Sequence, residues 1–174
     1  MWQKGLVVVS GCATAISKAL LLVWNSVGNL YLPIEEAKYF KRIAEAHGVD
    51  TVFLVAPSTP PSRLMRILNY TSGFLYLVSV FGVTGARETL REYTLQLVNE
   101  TLLYTKGKIP LAVGFGVSKP EHVRALMKTG AEGVIVGSTL VKVIEEYPTK
   151  QNGIIEEVEE RTRLLKEATK DWGL

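Results

Sequence analysis

Four short apolar runs constrain the fold of this chain: TVFLVA at 51–56, FLYLVSV at 74–80, IPLAVGF at 109–115 and GVIV at 133–136. None alternates apolar with polar, so each reads as a strand buried on both faces, as in a covered parallel sheet. The segments between them carry helical periodicity. Residues 34–47 set Ile34, Ala37, Phe40, Ile43 and Ala44 on one face, with Gly48 as the stop. A proline turn at 57–61 leads to a short helix at 62–69, and a glycine-containing loop at 81–86 precedes a helical stretch at 87–104. Ser118 with Glu121 predicts a capping box with Pro120 in the first turn, on a helix that presents Val123, Leu126 and Met127 and ends at Gly130. A long amphipathic helix at 154–172 is built on Ile154, Ile155, Val158, Leu165 and Trp172. Strand and helix alternate through short links, which predicts the α/β class with parallel strands.

The last two runs end in glycine turns, GFGVS at 114–118 and GVIVGS at 133–138. Two consecutive strands ending this way bring backbone N–H groups and a helix N-terminus side by side, a setting for a phosphate dianion. Glycines after strands are also ordinary turn formers. The spacing of these two as successive βα units is what favours a cradle. Paired glycine loops after the last two strands are where (β/α)8 barrels bind phosphate. A complete barrel of that kind needs about 250 residues, and this chain has 174. The expectation is therefore one domain forming the back portion of such a barrel.

Charge and cysteine narrow the function classes. Lys and Arg total 20 against 17 Asp and Glu, and a net charge of +3 spread among acids argues against nucleic acid. The single cysteine, Cys12, excludes an internal disulfide framework and fits a reducing compartment. Residues 5–24 are largely apolar, but Lys18 near the middle opposes a membrane span. The run at 6–9 is too short for a signal-peptide core of roughly 7–15 residues, so the expected location is cytoplasmic. That run suits one strand. Residues 13–24 suit a helix that is apolar nearly all round and needs burial on every side. His47 and His122 read as solvated helix-surface histidines, and no metal site is expected.

Beyond Tyr31 the ordered set LPIEEA (32–37), FLVAPSTP (53–60), YLVSVFGVTGAR (76–87), GFGVS and GVIVGS resembles the tryptophan synthase alpha subunit family. The TGAR-type loop after a YLVS strand is the distinctive part. The resemblance divides the chain into an atypical, unaligned segment at 1–31 and a C-terminal barrel portion at 32–174. It implies a partial TIM barrel holding the tail of strand 4 and strands 5 to 8 with their helices. It also implies cleavage of indole-3-glycerol phosphate to indole and glyceraldehyde-3-phosphate, a retro-aldol step of tryptophan biosynthesis. Family members usually pass indole to a beta subunit that carries pyridoxal phosphate, so no cofactor is implied for this chain and a beta-subunit partner is.

Position by position, the resemblance implies phosphate contacts at Gly85, Gly116, Gly137 and Ser138. Thr84 would sit in a mobile loop that closes over substrate, and Tyr76 and Phe115 would flank the indole pocket. Physical chemistry suits these roles. Gly116 and Gly137 let the backbone approach an anion with no Cβ in the way. Ser138 adds a hydroxyl donor and a helix N-terminal N–H. Gly82 and Gly85 allow the loop to move and exclude water. Tyr76 and Phe115 can stack on an indole, although both equally suit a core aromatic, and Thr84 a simple turn.

The reaction needs a general acid for the indole ring and a base for the glycerol hydroxyl. The family supplies two carboxylates for this, one on strand 2 and one in the loop after it, both upstream of the aligned residues. Residues 1–30 hold no Asp or Glu. The first acid is Glu35, followed by Glu36, on a helix that should not reach the C-terminal face of the strands. Tyr31 stands where an aspartate usually precedes LP. The expectation is a chain that keeps the phosphate site, lacks the catalytic carboxylates and is inactive alone. A partial parallel sheet also has open edges, which predicts self-association or recruitment of a complementary partner. Two rival readings remain: a noncatalytic phosphate-binding or subunit-interaction module, and another phosphate-barrel enzyme completed by a second chain. A broken reading frame, a deletion, a natural short form and a designed half-barrel would each account for the N-terminal segment.

Overall fold

The structure is a computed structural model and describes residues 5–8, 34–78, 92–114, 116–146 and 153–170. Its elements run β1 (Gly5–Val8), α1 (Ile34–Ala46), β2 (Phe53–Val55), α2 (Pro61–Leu68), β3 (Leu75–Val78) and α3 (Glu92–Thr105). They continue with β4 (Leu111–Gly114), α4 (Pro120–Lys128), β5 (Gly133–Val136), α5 (Ser138–Glu146) and α6 (Ile154–Glu167). All strand pairings are parallel, in the order β1-β5-β4-β3-β2. From β2 onward each strand lies beside the next in sequence. β1, from the start of the chain, pairs along the far side of β5 with Gly5 opposite Gly133 and Val8 opposite Val136.

Burial on both faces explains why the apolar runs do not alternate. On one face Leu75, Leu77, Leu111, Val113, Val134 and Val136 meet the helical layer in the main core. The opposite face holds a smaller cluster of Val52, Phe74, Ala112 and Ile135, with Tyr76 packed against it. β5, at the junction of β1 and β4, is buried at all four positions. The helices supply the apolar faces that this sheet requires. α2 begins with Pro61 in its first turn and turns Leu64, Ile67 and Leu68 inward. α4 does the same with Val123, Leu126 and Met127.

Several sequence expectations are corrected at the element ends. The N-cap of α4 is Lys119, which makes no side-chain cap hydrogen bond, and Ser118 lies one residue before it rather than at the cap position of the expected capping box with Glu121. Pro120 at the first helical position sets that start, because the residue before a proline is driven to extended backbone, here φ −131° at Lys119. Glu121 instead faces Arg124 at 3.7 Å on the helix flank. The third apolar run begins its strand at Leu111 because Pro110 has no N–H to give; its carbonyl accepts the Leu75 N–H at 2.8 Å. α6 ends at Glu167, and Trp172 lies outside the described residues. His47 is exposed, in the turn just beyond α1.

Candidate phosphate site at the ends of the last two strands

Two loops follow the C-terminal ends of the neighbouring strands β4 and β5. In the first, Gly116 adopts φ 65°, a left-handed conformation that glycine takes without steric penalty. Val117 then anchors the loop in the main core with 1 % exposure. The Ser118 N–H donates to His122 Nδ1 at 3.4 Å. His122 is therefore no solvated surface histidine: it is buried at 6 % exposure on α4. The sequence carried a signal for this, since His122 shares a helix face with Leu126 four residues on.

In the second loop the Gly137 carbonyl accepts from the N–H groups of Leu140 and Val141 at 3.0 and 3.1 Å. Gly137 is thus the cap of α5, and the N–H groups of Ser138 and Thr139 precede the first intrahelical bond. They sit where the helix dipole favours an anion. The Thr139 hydroxyl donates to the Val117 carbonyl at 2.8 Å, across 22 residues and out of solvent. That bond joins the two loops. Gly116, Gly137 and Ser138 are thereby brought to one end of the sheet.

Tyr76 approaches the same end from β3. It lies opposite Ala112 in the register, on the sheet face away from the helices. Its ring passes over Gly114, the last residue of β4: a Cβ there would lie 2.6 Å from the Tyr76 hydroxyl oxygen and 2.7 Å from Cε2. The sequence places Gly114 at the junction of the third strand run and its glycine turn, and this close approach of the Tyr76 ring is a stronger demand for glycine than the turn. Burial pushes the Tyr76 phenol above its ordinary value of 10.0. The neutral phenol is favoured in the fold, so its contribution to stability is complete below pH 10 and falls as pH rises toward the shifted value. Denaturation midpoints of wild type and Tyr76→Phe, compared between pH 9 and 11, are expected to diverge above about pH 10. The wild type should lose stability faster; parallel curves would refute the burial effect. Gly85, Thr84 and Phe115, the remaining expected site residues, lie outside the described residues.

Among the described residues, no group of three or more His, Cys, Asp or Glu side chains is placed to hold a metal ion. No described helix is long and apolar enough to cross a membrane. Glu36 is exposed on α1. Glu132 precedes β5, where a side-chain oxygen accepts the Leu111 N–H at 3.1 Å, at the end of the strands opposite the glycine loops.

The family model for the tryptophan synthase alpha chain matches residues 26–170. This chain belongs to the tryptophan synthase alpha family. Over 137 residues it is 45% identical to the tryptophan synthase alpha chain of Methanothermobacter thermautotrophicus, covering 79% of this chain and 50% of that one. Over 115 residues it is 51% identical to the Pyrococcus furiosus protein, covering 66% and 46%. A solved alpha-subunit structure from P. furiosus superposes with a TM-score of 0.66 at 42% identity, covering 78% of this chain and 52% of the other. A tryptophan synthase complex from the same organism gives a TM-score of 0.65 at 42% identity, covering 77% and 51%. The chain spans about half the length of these relatives.

Within the tryptophan synthase alpha fold, a TIM barrel, the described sheet is an arc of five parallel strands with helices on its outer face. The smaller cluster around Tyr76 is on the face that points into a barrel. The glycine loops follow the C-terminal ends of the strands, the end at which barrels of this kind place their sites.

Proposed function

We propose that this chain carries the phosphate-holding part of a tryptophan synthase alpha site and binds indole-3-glycerol phosphate by its phosphate group. The observation behind this reading is the junction of the two glycine loops through Thr139 and Val117, beside the first turn of α5. Gly116, Gly137 and Ser138 would supply the donors on this side and Gly85 those of the third loop. Tyr76 and Phe115 would flank the indole, with Thr84 in the loop that closes over it. The proposed reaction is retro-aldol cleavage to indole and glyceraldehyde-3-phosphate.

That step needs an acid at the indole ring and a base at the glycerol hydroxyl. The chain has no Asp or Glu before Glu35, and Glu36 is exposed on α1. We therefore propose that the isolated chain binds substrate phosphate without cleaving the carbon–carbon bond. The work left to its residues is binding and orientation: the loop N–H groups hold the dianion, and the aromatic residues set the plane of the indole. Pyridoxal phosphate is assigned to a beta-subunit partner and no cofactor to this chain. The likeness to a solved tryptophan synthase complex supports that partner. The proposed location is cytoplasmic.

Inorganic phosphate at about 100 times its Kd should stabilise the chain by about 2.7 kcal/mol, read as a rise in melting temperature over matched chloride. Incubation with indole-3-glycerol phosphate should release no indole. Indole release by the purified chain would overturn the proposed inactivity, and the absence of any phosphate effect would overturn the cradle. A second reading, a phosphate-binding module completed by association, is favoured by the outer edges of β1 and β2, which have no strand partner among the described residues. Light scattering separates it: a folded, monodisperse monomer would count against it.

A further inference from the structure

We propose that Thr139 is a positioning residue that holds the two glycine loops in register, so that a single phosphate monoester dianion is gripped by both. The inference rests on the reading of these loops as a phosphate cradle and gives one side chain responsibility for its shape. Threonines on helices ordinarily return their hydroxyls to their own backbone. Within α3, Thr101 does so to the Leu97 carbonyl at 2.8 Å, and Thr105 to the Thr101 carbonyl at 3.4 Å. Thr139, in the first turn of α5, instead reaches the preceding βα unit and bonds the Val117 carbonyl.

The receiving loop is held at three consecutive residues. Gly116 is left-handed, Val117 is fixed by its buried side chain and by Thr139, and the Ser118 N–H is held by His122. The donating residue is itself buried at 5 % exposure and adjoins Ser138. A dianion spanning both loops needs donors on each within about 2.7–3.2 Å at once. Independent drift of the loops would leave one side too long, and the Thr139 bond opposes that drift at the point where the loops meet. Its hydroxyl is spent on Val117, so its role is to set the spacing for donors that touch the anion.

Calorimetric titration of the full chain with inorganic phosphate tests this. Thr139→Val is expected to weaken binding about three- to tenfold, the worth of one neutral hydrogen bond, while Thr139→Ser keeps wild-type affinity. Wild-type affinity in a folded Thr139→Val protein would overturn the proposal, as would equal losses in the two variants. If Thr139→Val does not fold, an NMR titration of the wild type with the same ligand decides. Amide signals of residues 116–118 and 138–139 should move with one shared midpoint; separate midpoints, or movement of one loop alone, would overturn it. A wild type that binds no phosphate removes the cradle itself. Binding that is lost in Gly137→Asp yet unchanged in folded Thr139→Val removes only the role of Thr139.

Discussion

Replacing Gly114 by valine is expected to destabilise the fold by about 3 kcal/mol, toward the upper end of the usual cost of overpacking. Even a single Cβ would sit 2.6 Å from the Tyr76 hydroxyl oxygen, 2.7 Å from Cε2 and 3.1 Å from Cζ. Real non-bonded contacts do not reach such distances, so the ring has to leave. It cannot leave cheaply, because it packs against the small core of Val52, Phe74, Ala112 and Ile135 that the described residues form on that face of the sheet. Urea denaturation should show a lower midpoint with an unchanged slope. The cause is tested by repeating the substitution in a Tyr76→Leu background, which removes the offending atoms. There the valine should cost about 1 kcal/mol or less, a non-additivity that marks two residues in contact. Equal costs in the two backgrounds would place the penalty elsewhere.

Gly137→Asp should have the opposite profile, with the fold kept and the anion lost. Gly137 occupies the cap of α5, where aspartate is among the preferred residues and its charge suits the helix dipole. The same charge would face a bound phosphate dianion. At about 4 Å and an effective dielectric constant near 20, each pair of unit charges repels by about 4 kcal/mol. A loss of at least about 100-fold in phosphate affinity is therefore expected, read by calorimetry beside a circular dichroism melt. A folded variant with wild-type phosphate affinity would take Gly137 out of the cradle. A variant that unfolds would contradict the capping role.

The parts of the fold that were legible in the sequence rest on local rules. Runs such as GVIV can be buried on both faces only inside a covered parallel sheet, and β5 is buried throughout. The expected strand at 6–9 is observed at Gly5–Val8. The glycine turns were visible as turns, and their spacing as successive βα units placed them on neighbouring strands. The capping box failed because two local signals competed in SKPEH. The serine offered a cap, whereas the proline fixed the helix start one residue later. His122 is buried rather than solvated because burial depends on what the neighbouring loop needs, here an acceptor for the Ser118 N–H, a need that no local pattern displays.

The residue sequence by itself determined the α/β alternation, the two-sided burial of the strands and the presence of two glycine turns in register with helix starts. These follow from periodicity, propensity and the absence of a Cβ, all properties of a few adjacent residues. Only the tertiary structure decided that β1 lies against β5, that Thr139 ties its loop to Val117, and that the Tyr76 ring lies over Gly114. Each of those joins residues from separate segments of the chain, 22 residues apart for the Thr139 bond. No local pattern encodes such a pairing, because its free energy exists only after the sheet has brought the partners within contact distance.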